Sequence, residues 1–220
     1  MSLNLTFKNN IHITWNHGDD GGGSTHYVEF LNAIGAEKKY KNGLEWCAGL
    51  SAVAFSLLDA KTCENFVLMD IYEPALIKAQ ENAKINNIID RVSIRICDKI
   101  DSLPVTDKFD LVVSNPPHVE TDSWIDNSMP KLTKEEKDRN IRITVDKDWN
   151  LHKEFFKNIT KYLNPNADLY ISETNSHGFI IDWAKEVGLN LIEVFSAPAL
   201  AKDTKTDAVI LHFRYETKIY

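Results

Sequence analysis

Phe109-Asp110-Leu111-Val112-Val113-Ser114-Asn115-Pro116-Pro117-His118 is an apolar, β-branched run that stops on a polar residue and two prolines. Its shortness and the breaker at its end predict a buried parallel strand rather than a helix, because neither proline donates to a ladder or continues a helix. Asn115 is therefore expected at the carboxyl end of a strand, where ligands of open α/β sheets bind. An amide or exocyclic amino group suits that place. Its NH2 needs two acceptors, and the Asn115 side-chain carbonyl and the Pro116 backbone carbonyl supply them, leaving the nitrogen lone pair aimed away from both. His118 offers a flat ring for stacking. The plainer reading is a strand followed by an ordinary Pro-Pro turn.

Three upstream segments repeat the pattern of an apolar run that closes on a polar residue. Leu44-Glu45-Trp46-Cys47-Ala48-Gly49-Leu50-Ser51-Ala52-Val53-Ala54-Phe55 reads as a buried strand, a tight turn and the start of a small-residue helix. Phe66 to Asp70 is a second buried strand, after which Pro74 opens a helix with Leu76, Ala79 and Ala83 on one face. Asp70 follows the glycine turn by about 20 residues, the separation that lets a carboxylate accept hydrogen bonds from two ribose hydroxyls. It could equally cap the following turn. Val92 to Asp98 is a third strand, again ending on an aspartate.

Taken together these segments resemble the class I S-adenosylmethionine (SAM) methyltransferases that carry an Asn-Pro-Pro-aromatic motif and methylate planar nitrogens of adenine, guanine or glutamine. His118 stands where that motif has Tyr, Phe or Trp. The family's SAM motif, Asp-x-Gly/Cys-x-Gly-x-Gly, falls on Glu45, Cys47, Gly49 and Ser51, with Ser51 in place of a glycine that allows close helix packing. The resemblance implies Glu45, Cys47, Gly49, Asp70, Ile71, Asp98 and Asn115 as cofactor-binding residues and Asn115, Pro116 and His118 as catalytic ones. Asp98 would bind the adenine amino group, with Ile100 or Ile71 sandwiching the ring. A surface carboxylate at a strand end is the bland alternative for Asp98.

Upstream, Leu3, Leu5 and Phe7 alternate with polar residues, as do Ile11, Ile13 and Trp15, and Lys8-Asn9-Asn10 between them suits a tight turn with positive φ. A β-hairpin is expected. His17 to Gly23 is too glycine-rich for regular structure and reads as a lid-like loop or a plain linker. Ser24 is placed to cap a helix through Tyr27, Phe30, Leu31 and Ile34, with Gly35 as its stop and the cofactor under one face. Lys38-Lys39-Tyr40-Lys41 reads as a solvated loop.

Downstream, Glu120 to Lys147 holds seven acidic and six basic residues. It is either a solvated face or, from its place after His118, an acceptor-recognition insert spanning 119–147. Trp124 and Met129 are its few large apolar groups. Trp149, Leu151, Phe155, Phe156, Ile159 and Leu163 keep helical spacing, with Asn164-Pro165-Asn166 as the stop. A strand at Leu169 to Glu173, a helix near Phe179 to Val187 and strands near Leu191 to Val194 and Ala208 to Phe213 complete the pattern. The expected architecture is a single domain over 1–220: a three-layer α/β Rossmann-like sheet of seven strands, its last hairpin antiparallel, with the N-terminal β-hairpin in front.

The length of 220 residues with 43% hydrophobic content suits one full core. No run approaches membrane-spanning length, so a soluble cytoplasmic protein is expected. Cys47, Cys63 and Cys97 form no Cys-x-x-Cys pair, which predicts neither disulfide framework nor metal site and places each thiol in or beside the core. A net charge of −7 and a pI near 5.5 argue against tight sequence-independent nucleic-acid binding.

The hairpin before the sheet is similar to the segment ahead of the catalytic domain in the HemK group, the release-factor glutamine methyltransferases. No counterpart is expected for the helical domain that holds the release factor in bacterial members. The resemblance implies a SAM-dependent N-methyltransferase acting by positioning, on a protein glutamine ahead of adenine or guanine in RNA or DNA, with room for an activating subunit. The rival, suggested by His118 and the eroded glycine motif, is a SAM-binding or scaffold protein without catalysis.

Overall fold

A computed structural model describes residues 2–16, 27–123, 131–174, 178–197 and 208–216. The lid-like loop His17 to Gly23, the Ser24 cap, Trp124 and Met129 lie outside the described residues. In chain order the strands are β1 (Ser2–Thr6), β2 (His12–Asn16), β3 (Tyr40–Trp46), β4 (Cys63–Asp70), β5 (Val92–Ile96), β6 (Phe109–Ser114), β7 (Leu163–Glu173), β8 (Leu189–Ser196) and β9 (Val209–Tyr215). The helices are α1 (Tyr27–Ile34), α2 (Ala52–Asp59), α3 (Glu73–Ile85), α4 (Lys134–Thr144), α5 (Asn150–Ile159) and α6 (Gly178–Glu186).

β1 and β2 form the expected hairpin, with Asn10 at φ 93° in its turn. The other seven strands form one sheet in the order β5-β4-β3-β6-β7-β9-β8, parallel from β5 to β7 and antiparallel at β7-β9 and β9-β8. The order reverses between β3 and β6, so the crevice above that pair is the switch point at which such sheets bind ligands.

Each central strand sends alternate side chains to opposite layers. Leu111 and Val113 of β6 join the core under α1, α2 and α3, while Val112 joins the core under α5 and α6. The hairpin lies over the first core through Phe7, Ile11, Ile13 and Trp15. It is docked by polar groups too: the Asp59 carboxylate accepts from the Asn9 and Ile11 N–H groups at 2.7 and 2.9 Å. Asn82 and Asn86 of α3 act as a substitute strand. Asn86 accepts from the His12 N–H and donates to its carbonyl, at 2.9 and 2.6 Å, and Asn82 does the same for Thr14 at 3.0 and 3.1 Å.

Several expectations are corrected. α1 packs Phe30, Ala33 and Ile34 into the first core beside α2, and none of its residues lines the cavity described below, so it does not cover that site. Asn164-Pro165-Asn166 does not follow a helix directly: α5 ends at Ile159, a single 3-10 turn follows, and β7 already starts at Leu163. Leu163 pairs with Phe109 and the ladder then shifts, with Asn166 at φ 63°, before resuming at Asp168. Lys38 is not a freely solvated loop residue. It is half-buried, donates to the Tyr170 hydroxyl at 2.7 Å and pairs with Asp168 at 3.2 Å. Asp168 also accepts from Tyr40, His212 and Arg214, and these donors hold its carboxyl well below the usual range although burial pushes the other way. Among the described residues no helix is long and apolar enough to cross a membrane.

Candidate functional site

The turn after β3 is where the glycine motif was expected. Cys47, Gly49 and Ser51 all take positive φ, at 55°, 48° and 61°. The backbone therefore follows the path that glycines would take, and Ser51 follows it at a cost, since its Cβ crowds the left-handed region. Ser51 is fully buried and its hydroxyl finds no hydrogen-bond partner among the described residues. The turn is tied to β4 by the Ala48 N–H, which donates to the Met69 carbonyl at 3.0 Å.

Asp70 ends β4 beside this turn. Its two carboxylate oxygens accept from the Gly49 and Tyr72 N–H groups, each at 2.8 Å. Burial raises its pKa and those backbone donors oppose the rise. Asp70 is thus both a cap of its own turn and the clip that joins the β3 and β4 loops, and it also lines the cavity, with acceptor capacity beyond these two bonds. Glu45 sits differently. It is buried, absent from the cavity lining, and accepts from the Ala54 N–H at 2.8 Å, so it caps α2 from below. Burial pushes its carboxyl up to about 8.

A cleft continuous with solvent opens over the switch point and encloses about 160 Å³. Cys47, Asp70, Ile71, Asp98 and Asn115 line it, so five of the residues expected at the cofactor meet in one place although they follow four different strands. Ile71 is 63% exposed on the wall, whereas Ile100 is buried in the second core, which distinguishes the two candidates for an apolar ring contact. Gly49 is not on the wall itself. Pro117 is, while Pro116 is buried behind it and half-buried His118 lies outside the lining. Asn115 Oδ1 is buried with no hydrogen-bond partner among the described residues.

Other walls had no sequence signal as site residues. Arg142, Ile143 and Val145 come from the end of the insert, and Leu151 from α5. Arg142 lies over the Tyr72 ring at 4.3 Å, closing the β4 side. The insert is anchored by a bridge between Val119 and Val145, and by the Asp146 N–H, which donates to the Val119 carbonyl at 2.8 Å. Beneath this wall lies a buried triad: His152 Nδ1 is 2.6 Å from Asp146 Oδ2 and its Nε2 is 2.8 Å from Glu173 Oε1. The two carboxylates raise the imidazole to about 9 against the opposing effect of burial. The Cys47 thiol is pushed well above its ordinary value by burial, then by Asp70 and Asp146. It is not a nucleophile at neutral pH.

Known proteins resemble this chain in sequence and in fold. The chain is 37% identical over 98 residues to the release factor glutamine methyltransferase of Lactococcus lactis, covering 43% of this chain and 34% of that one. It is 28% identical over 151 residues to the ribosomal protein uL3 glutamine methyltransferase of Francisella tularensis, covering 66% and 45%. The chain thus matches less than half the length of either relative. The crystal structure of a methyltransferase from Pyrococcus furiosus superposes with a TM-score of 0.62 at 14% identity, over 92% of this chain and 88% of that one, which is a likeness of fold. Residues 38–208, from just before β3 to the foot of β9, match the methyltransferase domain family, and the chain belongs to it, on the class I fold whose methyl donor is S-adenosylmethionine.

Proposed function

We propose that this protein transfers a methyl group from SAM to a planar amide or amino nitrogen, and that the acceptor is a glutamine of a cytoplasmic protein. The observation that carries the acceptor chemistry is the buried, unpartnered Asn115 Oδ1 on the cavity wall. Such a carbonyl costs roughly 1–3 kcal/mol unless it meets a donor. An acceptor NH2 is that donor, and the Pro116 carbonyl is assigned as its second partner. A glutamine acceptor is supported by the relatives that methylate glutamine and by the net charge of −7, which disfavours phosphate-rich partners.

The residues present fit the cofactor. Asp70 and Asp98 would take the ribose hydroxyls and the adenine amino group, and the exposed face of Ile71 the adenine ring. When bound, SAM supplies a methyl already made electrophilic by its sulfonium, so the protein's part is to orient the acceptor and keep water out. Asn115 orients. His118, outside the wall, is assigned at most a contact with the acceptor's surroundings.

Incubating lysate proteins and nucleosides with labelled SAM, followed by mass spectrometry, tests the reading. Label on a glutamine is expected; label on nucleosides alone would move the acceptor to nucleic acid, and SAM binding without label anywhere would leave a binding module. Asn115→Ala should abolish transfer while leaving SAM affinity within a few-fold, because its carbonyl faces the acceptor. Equal loss of both would make Asn115 structural. Asp70→Ala should weaken SAM binding by about 1.5–3 kcal/mol in calorimetry, since hydroxyls lose a charged acceptor.

A further inference from the structure

The Asp146–His152–Glu173 triad takes no part in the function proposed above, yet Asp146 and His152 contact residues of the cavity wall. Val145 and Leu151, both on the wall, flank it in sequence, and Asp146 Oδ1 accepts from the Leu151 N–H at 2.8 Å. The ring of Trp46, also on the wall, stands edge-on to the His152 ring at 5.8 Å. His152, Asp146 and Glu173 are 0%, 4% and 1% exposed, so water does little to screen them. Both ring nitrogens of His152 face carboxylate oxygens. Only the imidazolium is a donor at both nitrogens, so the triad carries one positive and two negative charges.

The order of the sheet says which half of the cofactor lies nearest. Along its carboxyl edge stand Asp98 after β5, Asp70 at the end of β4, Cys47 after β3, Asn115 after β6 and Glu173 at the end of β7. With ribose and adenine toward Asp70 and Asp98, the reacting sulfur lies toward Asn115, and the next strand over ends in Glu173. This placement rests on the SAM-binding reading above.

We propose that the triad is an electrostatic selector, a buried cluster with one net negative charge that favours the sulfonium of SAM over the neutral thioether of its demethylated product. Its three residues are positioning residues that act through space. Donor binding is strengthened, and the product, having lost its positive charge on methyl transfer, leaves more readily.

Calorimetry of SAM and of S-adenosylhomocysteine on the full chain and on Glu173→Gln provides the test. Glu173→Gln keeps the shape, leaves His152 an acceptor oxygen or a rotated amide, and removes one negative charge at a pH where the imidazole keeps its proton, which sets the pH of the measurement. It should lower the preference for SAM over the product by about four- to thirty-fold, the effect of one unit charge across roughly 8–20 Å at an effective dielectric near 20, with product affinity little changed. A merely structural triad would weaken both ligands alike. Should the variant fail to fold, the His152 imidazole can be titrated by NMR in the two complexes of the native protein. The charged groups acting on the ring are Glu173 from β7 and Asp146 ahead of α5, while Trp46 and Trp149 present uncharged edges and the nearby Cys47 thiol stays neutral. By reciprocity of coupling, the sulfonium should lower the imidazole pKa relative to the product complex. An unchanged ligand ratio in the folded variant, or equal pKa values in the two complexes, overturns the proposal. Failure of the native protein to bind either ligand would instead overturn the SAM reading itself.

Discussion

Ser51 holds a left-handed conformation with a fully buried, unpartnered hydroxyl where the related motif has glycine. Glycine carries no Cβ penalty there, so Ser51→Gly should be neutral to stabilising by about 1 kcal/mol in urea denaturation; a loss of stability would mean that the hydroxyl has a partner in solution. Gly43 is the opposite case. A Cβ built there would meet the Phe66 ring at 2.5 Å, so Gly43→Ala should cost about 1–3 kcal/mol through overpacking of two central strands. At this scale the strand-end residues were legible from the chain alone, because Asp70, Asp98 and Asn115 each punctuate an apolar run. The triad was not: His152 lies within the apolar stripe of α5, and its partners are 6 and 21 residues away on elements whose contact only the fold creates. Glu45 lies off the cavity wall, against the start of α2. A carboxylate in a motif near a helix start can face the ligand or the helix, and its side of β3 decided for the helix.

At the level of elements, the apolar runs located every strand of the large sheet, the central ones because they bury an apolar core and the edge strand β8 although Leu191, Ile192 and Val194 stay exposed. It did not resolve how they are held. Asn82 is a poor choice for a helix interior and Asn86 is the cap that ends α3, and neither feature reveals that their amides pair with β2. Asn82→Ala would take both side-chain partners from the half-buried Thr14 N–H and carbonyl, so a loss of about 1–2 kcal/mol is expected, with faster hydrogen exchange through the hairpin. Exchange unchanged in β2 would mean that apolar contacts alone dock the hairpin. The insert divides the two readings offered for it. α4 buries no residue and starts with a capping box between Thr133 and Glu136, as a solvated helix does, yet its end supplies Arg142 and Ile143 to the cavity. Charge balance describes the first property and cannot reveal the second, which depends on the Val119–Val145 bridge bringing the chain back.

For the whole molecule, the buried titrations combine into one pH dependence. His152 titrates near 6.5 when exposed and near 9 in the fold. A group whose folded pKa is raised holds a proton that the unfolded chain has lost, so its contribution is full below pH 6.5 and disappears as pH rises through 9. Glu45 works in the same direction over a lower range: from its ordinary 4.5 to about 8 in the fold, stability declines because the buried carboxyl resists ionising. Asp168 sets the acid side. Its depressed pKa gives stability that is present above the ordinary value of 3.8 and lost as pH falls further. The three together place maximal stability at mildly acidic pH, near 5, with a decline of a few kcal/mol by pH 9–10. Melting temperatures recorded from pH 4 to 10 should therefore peak on the acid side of neutrality. Glu45→Gln separates the terms, because an amide oxygen can still accept from the Ala54 N–H but cannot ionise. That variant should gain stability relative to the native protein at pH 9 and not at pH 5, while the fall attributable to His152 between pH 6.5 and 9 persists. A native profile that is flat across pH 5–9 would show that water reaches these carboxylates, and that the network around His152 is looser than its 2.6 and 2.8 Å contacts imply.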